Sequence, residues 1–268
     1  MKSVLKYPGA KWACADWIIS CFPYHQHYVE PFFGSGAVFF NKIPVKHEVI
    51  NDLNGDVVNL FRVIREHGAD LAALIEMTPW AREEYGLSYE PCDDPLERAR
   101  RFIVRNQQAY AGKLSESSGW YTQGAKALSY QTPAYKWRGV PDRIINLIDR
   151  LRDCEIEHKP AIDVITRHAG PDVLIYADPP YVWATRNSRA YTHEMTDADH
   201  TDLLDVLDAH PGPVVLSSYA CPLYDGRLAH WSRHMKEVQA EKGNKRTEVL
   251  WLNPICVERL GYGPLFEV

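Results

Sequence analysis

The stretch LIYADPPYVWAT, Leu174 to Thr185, runs four apolar or aromatic residues straight into an aspartate, two prolines and a tyrosine. The run reads as a buried strand that meets solvent at Asp178. Pro179 has a fixed φ and no N–H, and Pro180 holds Pro179 extended, so the carbonyl between the two rings has a set direction. The motif therefore offers two rigid acceptors, the Asp178 carboxylate and the Pro179 carbonyl, and its natural guest is an amino group with two hydrogens. A plain strand-ending turn is the competing reading, because Asp and Pro favour turns. The flanking sequence has to decide.

Upstream, HYVEPFFGSGAVFFNK (27–42) reads as a short strand, a glycine turn and the start of an apolar helix, and HEVIND (47–52) reads as a second strand. From Leu53 the period changes: Val57, Leu60, Phe61 and Ile64 fall at helical spacing, and PLERARRFIVRNQQAY (95–110) continues in helical style. Residues 113–135 are rich in Gly, Ser, Tyr and Gln without periodicity, a loop of functional length. Beyond it come a helix in PDRIINLIDRLRDC, the strand before Asp178, a helix in TDADHTDLLDVLDAH, the strand GPVVLSSYA and a hairpin in WSRHMKEVQAEKGNKRTEVLWLNP. Strands and helices alternate at both ends around an all-helical block, which predicts an α/β sheet with an inserted helical domain.

In such sheets ligands lie at the carboxyl ends of strands where the topology switches. Gly34 and Gly36 bracket a tight turn there, and Asp52 ends the next strand, where it can accept hydrogen bonds from ribose hydroxyls or cap the helix that starts in LNGDVV. Phe39 stands where a dinucleotide fingerprint needs its third glycine, and no P-loop G-K-[ST] occurs. The pocket suits a nucleoside without a pyrophosphate and argues against a nicotinamide oxidoreductase. An exocyclic amine on a nucleobase has its lone pair drawn into the ring, and two preorganised acceptors favour the form that attacks a sulfonium methyl. Asp178 must be ionised for this, and Tyr181 supplies a π-face for a base out of its stack.

Composition adds exclusions. The chain has 268 residues, 46% hydrophobic and 24% charged, with no signal-peptide run and no apolar window of membrane-span length, so a cytoplasmic address is expected. Six scattered cysteines lack any C-x-x-C pair and read as reduced, and eleven histidines show no ligand spacing, so no metal is expected. A net charge of -5 argues against wholesale nucleic-acid coating and leaves room for a local basic face.

With LKYPGAK (5–11), VEPFFGSGAVFFN (29–41), INDLNGDVVNLFRVI (50–64) and YADPPY (176–181) in order, the chain resembles the D12-class, Dam-type DNA N6-adenine methyltransferases. The resemblance implies a Rossmann-like methyltransferase sheet from residues 1–56 and 145–268, an inserted helical target-recognition domain at 57–144, and S-adenosylmethionine as methyl donor. Carried over by motif, Tyr7 and Lys11 line the cofactor pocket, Glu30, Pro31, Phe32, Gly34 and Gly36 wrap the methionine part, and Asp52 holds the ribose. Asp178 touches the cofactor and, with Pro179, Pro180 and Tyr181, forms the catalytic motif. Gly9-Ala10 replaces a family Gly-Gly, and Ala111 stands where the recognition block often has a second asparagine, although Asn106 is kept.

The implied partner is double-stranded DNA, and a separate restriction endonuclease is a possible further one. Arg98, Arg100, Arg101, Arg105, Lys113, Lys126, Lys136, Arg138 and Arg143 fall in the insertion among Tyr110, Trp120, Tyr121, Tyr130, Tyr135 and Trp137, a pattern that suits phosphate contacts and groove entry. Arg105, Asn106, Lys113, Lys126, Lys136 and Arg138 are the expected DNA contacts there, and Lys242, Lys245 and Arg246 suggest a grip on the backbone from the hairpin turn. N4-cytosine or RNA adenine methylation, and an inactive DNA-binding homologue, are the alternatives. The expected transfer is direct.

Overall fold

The computed structural model describes residues 2–7, 9–109, 119–122, 132–183, 192–239 and 245–261. Seven strands form one sheet: β1 (His27–Glu30), β2 (His47–Asn51), β3 (Cys154–Glu157), β4 (Val173–Ala177), β5 (Val214–Ser218), β6 (Ser232–Gln239) and β7 (Lys245–Leu252). Their spatial order is β3-β2-β1-β4-β5-β7-β6, with β7 antiparallel to both its neighbours and the other pairings parallel. The chain winds outward from β1 to β3, then returns to the far side of β1 to lay down β4. That reversal is the switch point of a doubly wound, Rossmann-like α/β sheet.

The helices are α1 (Ala15–Ser20), α2 (Gly55–Met77), α3 (Arg82–Leu87), α4 (Pro95–Gln108), α5 (Pro133–Trp137), α6 (Val140–Leu151), α7 (Ala161–Arg167), α8 (Asp197–Asp208), α9 (Pro222–Arg227) and α10 (Pro254–Leu260). Their starts follow local chemistry. Asn54 caps α2, Asp94 caps α4 ahead of Pro95, and Thr196 with Asp199 forms a reciprocal capping box on α8. The cap of α2 is thus Asn54, while Asp52, two residues earlier, accepts the Asn54 N–H.

Every residue of β4 and β5 is buried, as expected for strands covered on both faces. Alternation divides them: Leu174 and Tyr176 join a core with α1, α2, α4, α6 and α10, while Val173, Ile175 and Ala177 face a second core with α7, α8 and α9. Helices α2, α4 and α5 of the 57–144 block therefore share the first of these cores with the sheet. α2 breaks at His67 (φ -136°, ψ 31°), and at Gly68 a Cβ would meet Ile148 of α6 at 2.7 Å, so the missing side chain permits close helix packing.

Several elements differ from the sequence expectation, among them the short helices α1, α9 and α10, which it did not include. Residues 37–42 form successive turns in place of a regular helix. β3, with its charged alternation Cys-Glu-Ile-Glu at a sheet edge, and the short α7 are additional to the expected elements; neither has a long apolar period. The largest departure concerns Asn106. It is fully buried at the end of α4, where its Oδ1 accepts from Lys6 N (2.7 Å) and its Nδ2 donates to Lys6 O (2.8 Å). Gln107 donates to Val4 O, and Lys6 Nζ donates to Gln107 O at 2.7 Å. The end of α4 thus carries the amino-terminal segment as a strand would carry its neighbour.

Asn106→Ala would remove the two hydrogen bonds that the buried Asn106 side chain makes to the Lys6 backbone. It is expected to cost about 1–3 kcal/mol in urea unfolding, two lost bonds at about 0.5–1.5 kcal/mol each. A loss below about 0.5 kcal/mol, the usual effect of a surface change, would contradict this role.

Candidate active site

The carboxyl ends of β1, β2 and β4 open into one pocket, lined among others by Tyr7, Lys11, Glu30, Phe32, Gly34, Asp52, Asp178 and Pro180. Gly34 (φ 51°) and Gly36 (φ 67°) adopt left-handed backbone. A Cβ on Gly34 would meet the Tyr7 ring at 2.9 Å, and one on Gly36 would meet Phe33 at 2.4 Å. These absent side chains let an aromatic ring close over the turn and let the turn close on itself.

Asn51, at the last position of β2, holds this loop. Its Nδ2 donates to Pro31 O (2.9 Å) and Lys159 O (3.0 Å), its Oδ1 accepts from Lys159 N (2.9 Å), and its own carbonyl accepts from Phe33 N (2.8 Å). Pro31 thus lies beneath the loop with its carbonyl committed to Asn51. Asp52 accepts from Gly34 N and Asn54 N, each at 2.8 Å. An ionised carboxylate has about four acceptor positions, so acceptor capacity beyond these two backbone bonds is available for hydroxyl donors. Burial pushes the Asp52 carboxyl upward, and the two N–H groups pull it back.

Asp178 sits one residue beyond β4 with its side chain 19% exposed, and Lys11 Nζ lies 2.9 Å from its Oδ1. Lys11 Nζ also donates to Gly9 O (2.6 Å) and stands 4.8 Å from the centroid of the Tyr181 ring. Burial raises the Asp178 carboxyl to about 6, with Lys11 opposing the rise. Glu30, bonded to Tyr28 Oη at 2.7 Å, is pushed up to about 8 by burial, with the Tyr28 bond opposing and Asp178 adding to the rise. The pocket therefore gathers three buried or part-buried carboxyl groups around one lysine. A ligand bringing positive charge eases their ionisation, since an opposite charge favours the charged form.

Pro179 is buried and Pro180 half-buried beside the pocket. Tyr181 is only 4% exposed. Its hydroxyl donates to Glu248 Oε2 (2.7 Å) and lies 3.3 Å from Ser217 Oγ, and its ring meets Tyr219 edge-on at 4.4 Å. The expectation of an open π-face at Tyr181 is thus corrected: Lys11 lies over the ring and Tyr219 abuts it.

The expected DNA contacts divide by environment. Arg105 bonds Asp56 (2.9 Å), which Arg98 also holds (2.7 Å); Arg100 bonds Glu84 and Glu97, and Arg101 bonds Glu97. These arginines spend their charge on local acids, and Asn106 is interior, so the basic face expected on α4 is largely neutralised. Lys136 and Arg138 are exposed. Arg246 is exposed and donates to Tyr219 Oη at 3.2 Å, and Lys245 opens β7 opposite Gln239. Lys113, Lys126, Lys242, Tyr110, Tyr130 and Ala111 lie outside the described residues. Trp120 and Trp137 donate their indole N–H groups to Gln108 Oε1 and Thr78 O, which makes them packing residues here.

Several pocket residues escaped the sequence reading. Asn51 carried a signal, since a polar residue ending a buried strand needs partners. Thr192, His193, Glu194 and Met195 line the pocket ahead of α8, and Tyr219 and Glu248 flank Tyr181. Away from the pocket, Glu155, Glu157 and His168 bring potential ligand atoms within 4.8 Å of one another, with Arg167 3.5 Å from Glu157. Among the described residues no helix is long and apolar enough to cross a membrane.

The family model for D12 class N6 adenine-specific DNA methyltransferases matches residues 7–241. The Type II methyltransferase M1.LlaDCHI of Lactococcus lactis subsp. cremoris is 27% identical over 259 residues, covering 88% of this chain and 87% of that protein. The DNA adenine methylase of Escherichia coli K12 is 25% identical over 267 residues, covering 91% and 92%, and that of Salmonella typhi is 25% identical over 232 residues, covering 81% of each. The pocket, the DPPY turn and the matched span lead to one conclusion: this chain belongs to the D12 class N6 adenine-specific DNA methyltransferases.

Proposed function

We propose that the pocket binds S-adenosylmethionine and that Asp178 and the Pro179 carbonyl hold the amino group of an adenine turned out of duplex DNA. The observation that carries this reading is the convergence of Lys11, Glu30, Asp52 and Asp178 on one cavity beneath the glycine turn. When bound, S-adenosylmethionine supplies an electrophilic methyl group on a sulfonium cation.

The donor set suits that molecule. Asp52 offers acceptors for a ribose diol, Lys11 lines the cavity while paired with Asp178, and the acidic surroundings favour the positive sulfonium and ammonium groups. Gly34 and Gly36 leave room for close backbone approach, and Tyr7 and Phe32 offer apolar faces. Asp178, ionised, accepts one amino hydrogen of the target, and the Pro179 carbonyl accepts the other. With both amino hydrogens held, the nitrogen lone pair would be turned out of the ring, and the fixed acceptors would stabilise the positive charge that develops on nitrogen until one of the held protons leaves. No covalent enzyme intermediate is needed. Lys136 and Arg138 on one side, and Arg246 on β7, contact backbone phosphates and set the duplex over the pocket.

Three measurements test this. Asp178→Ala is expected to lower methyl incorporation from labelled S-adenosylmethionine into unmethylated genomic DNA by about 100- to 1,000-fold, the usual cost of losing one preorganised hydrogen-bonding group. Turnover within about tenfold of the parent would remove Asp178 from the mechanism, and labelled N6-methyladenine from the parent, identified by mass spectrometry of nucleosides, is the positive control.

The pH profile has a definite sign. Protonated Asp178 loses an acceptor, so kcat/KM should hold above pH 6 and fall below it, in line with a free-enzyme carboxyl near 6. Lys11 holds that carboxyl down, so in Lys11→Gln the acidic limb should move to higher pH. Movement toward lower pH would contradict the pairing. For DNA, Lys136→Ala and Arg138→Ala should each weaken binding alike on all sequences and reduce the salt slope by about one. An altered sequence preference at unchanged affinity would assign them to base reading instead.

A further inference from the structure

β7 reaches the catalytic turn through one side chain. Glu248, 7% exposed, accepts the Tyr181 hydroxyl at 2.7 Å, and Ser217 Oγ of β5 stands 3.3 Å from the same oxygen. Two residues earlier, on the same face of β7, Arg246 donates to the Tyr219 hydroxyl at 3.2 Å. One strand face therefore holds the phenol ends of both rings that meet at 4.4 Å beside the DPPY turn.

The arrangement is costly for a merely structural strand. A buried carboxylate carries a desolvation penalty of several kcal/mol, and an apolar residue would pack this sheet at least as well. What Glu248 supplies that an apolar residue could not is a fixed, directional acceptor for Tyr181. From Tyr181 the contacts continue: its ring packs under Lys11 Nζ (4.8 Å), which is itself 2.9 Å from Asp178 Oδ1. A shift of the phenol would move the ring, the ammonium above it and the acceptor that the ammonium orients.

We propose that Glu248 is a positioning residue for methyl transfer, fixing the Tyr181 phenol and through it the Lys11–Asp178 pair. This rests on the role of Asp178 given above. Glu248 also acts through space. The groups facing Asp178 are Lys11 from the amino-terminal segment, Glu30 of β1, Tyr176 of β4, Tyr181, Cys14 before α1, Tyr224 of α9 and Glu248 of β7. Lys236 is the cross-strand neighbour of Glu248 on β6. The Glu248 charge disfavours the ionised form of Asp178, so its removal makes Asp178 easier to ionise.

The test measures single-turnover methyl transfer and S-adenosylmethionine affinity for the parent, E248A, E248Q, Y181F and the E248A/Y181F double variant. The substrate is DNA carrying the parent's own methylation sequence. E248A and Y181F should each slow transfer about 10- to 100-fold, the range for a hydrogen bond to a charged group, with donor affinity within about threefold. The double variant should be no slower than the slower single variant, because both changes break one bond. E248Q keeps an acceptor, so it should recover to within about fivefold of the parent, and its acidic limb should move to lower pH. E248A within threefold of the parent, losses that multiply in the double variant, or an E248Q limb at the parent's pH would each overturn the proposal. Should E248A not fold, E248Q and Y181F decide it through the limb and the rate. Asp178→Ala in the same series separates a failure of the Asp178 role, seen as retained turnover, from a failure of Glu248, seen as absent coupling.

Discussion

The ion pair between Lys11 and Asp178 is the constraint around which the site is arranged. Lys11 is 4% exposed and Asp178 is 19% exposed, and they belong to segments 167 residues apart in the chain (178 minus 11). Burying two charges is repaid only where geometry and further hydrogen bonds are good. Here the lysine has the Gly9 carbonyl as well, and the aspartate stands at the end of a strand buried on both faces. The balance leaves the Asp178 carboxyl near 6, raised by burial and restrained by the ammonium, so it is ionised at neutral pH without being far from its proton. A weaker pair would leave a neutral acid at the sheet edge.

That pair requires the amino-terminal segment to lie still, and the segment has little structure of its own. Its support comes from α4, where Asn106 and Gln107 bond the Lys6 and Val4 peptide groups, and from Trp12, whose indole N–H donates to Ser35 Oγ in the glycine loop at 3.0 Å. Asn51 does the same for the loop after β1. The helical block is thus a scaffold for the pocket. Its arginines follow the same logic: Arg98 and Arg105 converge on Asp56 at the start of α2, joining α2 to α4 by charge.

Much of the fold and the core of the site were legible because their residues constrain their own backbone. Gly34 and Gly36 take left-handed φ where the turn needs it and the prolines after Asp178 stop the strand, whereas the cap of α2 is Asn54 and not Asp52. Asp52 and Asp178 could be placed at one sheet edge because parallel strands send their carboxyl ends the same way. The assignment of Asn106 and Arg105 to a DNA face did not survive in the same form. A polar residue on a helix reads alike whether it faces solvent or a neighbouring segment, and a charge run shows nothing of the acids opposite it.

The sequence by itself determined the strand ends at the glycine turn and at Asp178, the glycine turn and the family to which they point, and the resemblance to that family supplied Lys11 and Glu30. The sequence could do so because glycine and proline act within a few residues of themselves. Only the tertiary structure decided partners: Tyr181 with Glu248 across 67 residues, Asn106 with Lys6 across 100, and Arg150 with Glu48 across 102. A hydrogen bond or ion pair depends on what lies within about 3–4 Å, and that distance is set by the packing of the sheet and its helices rather than by order along the chain.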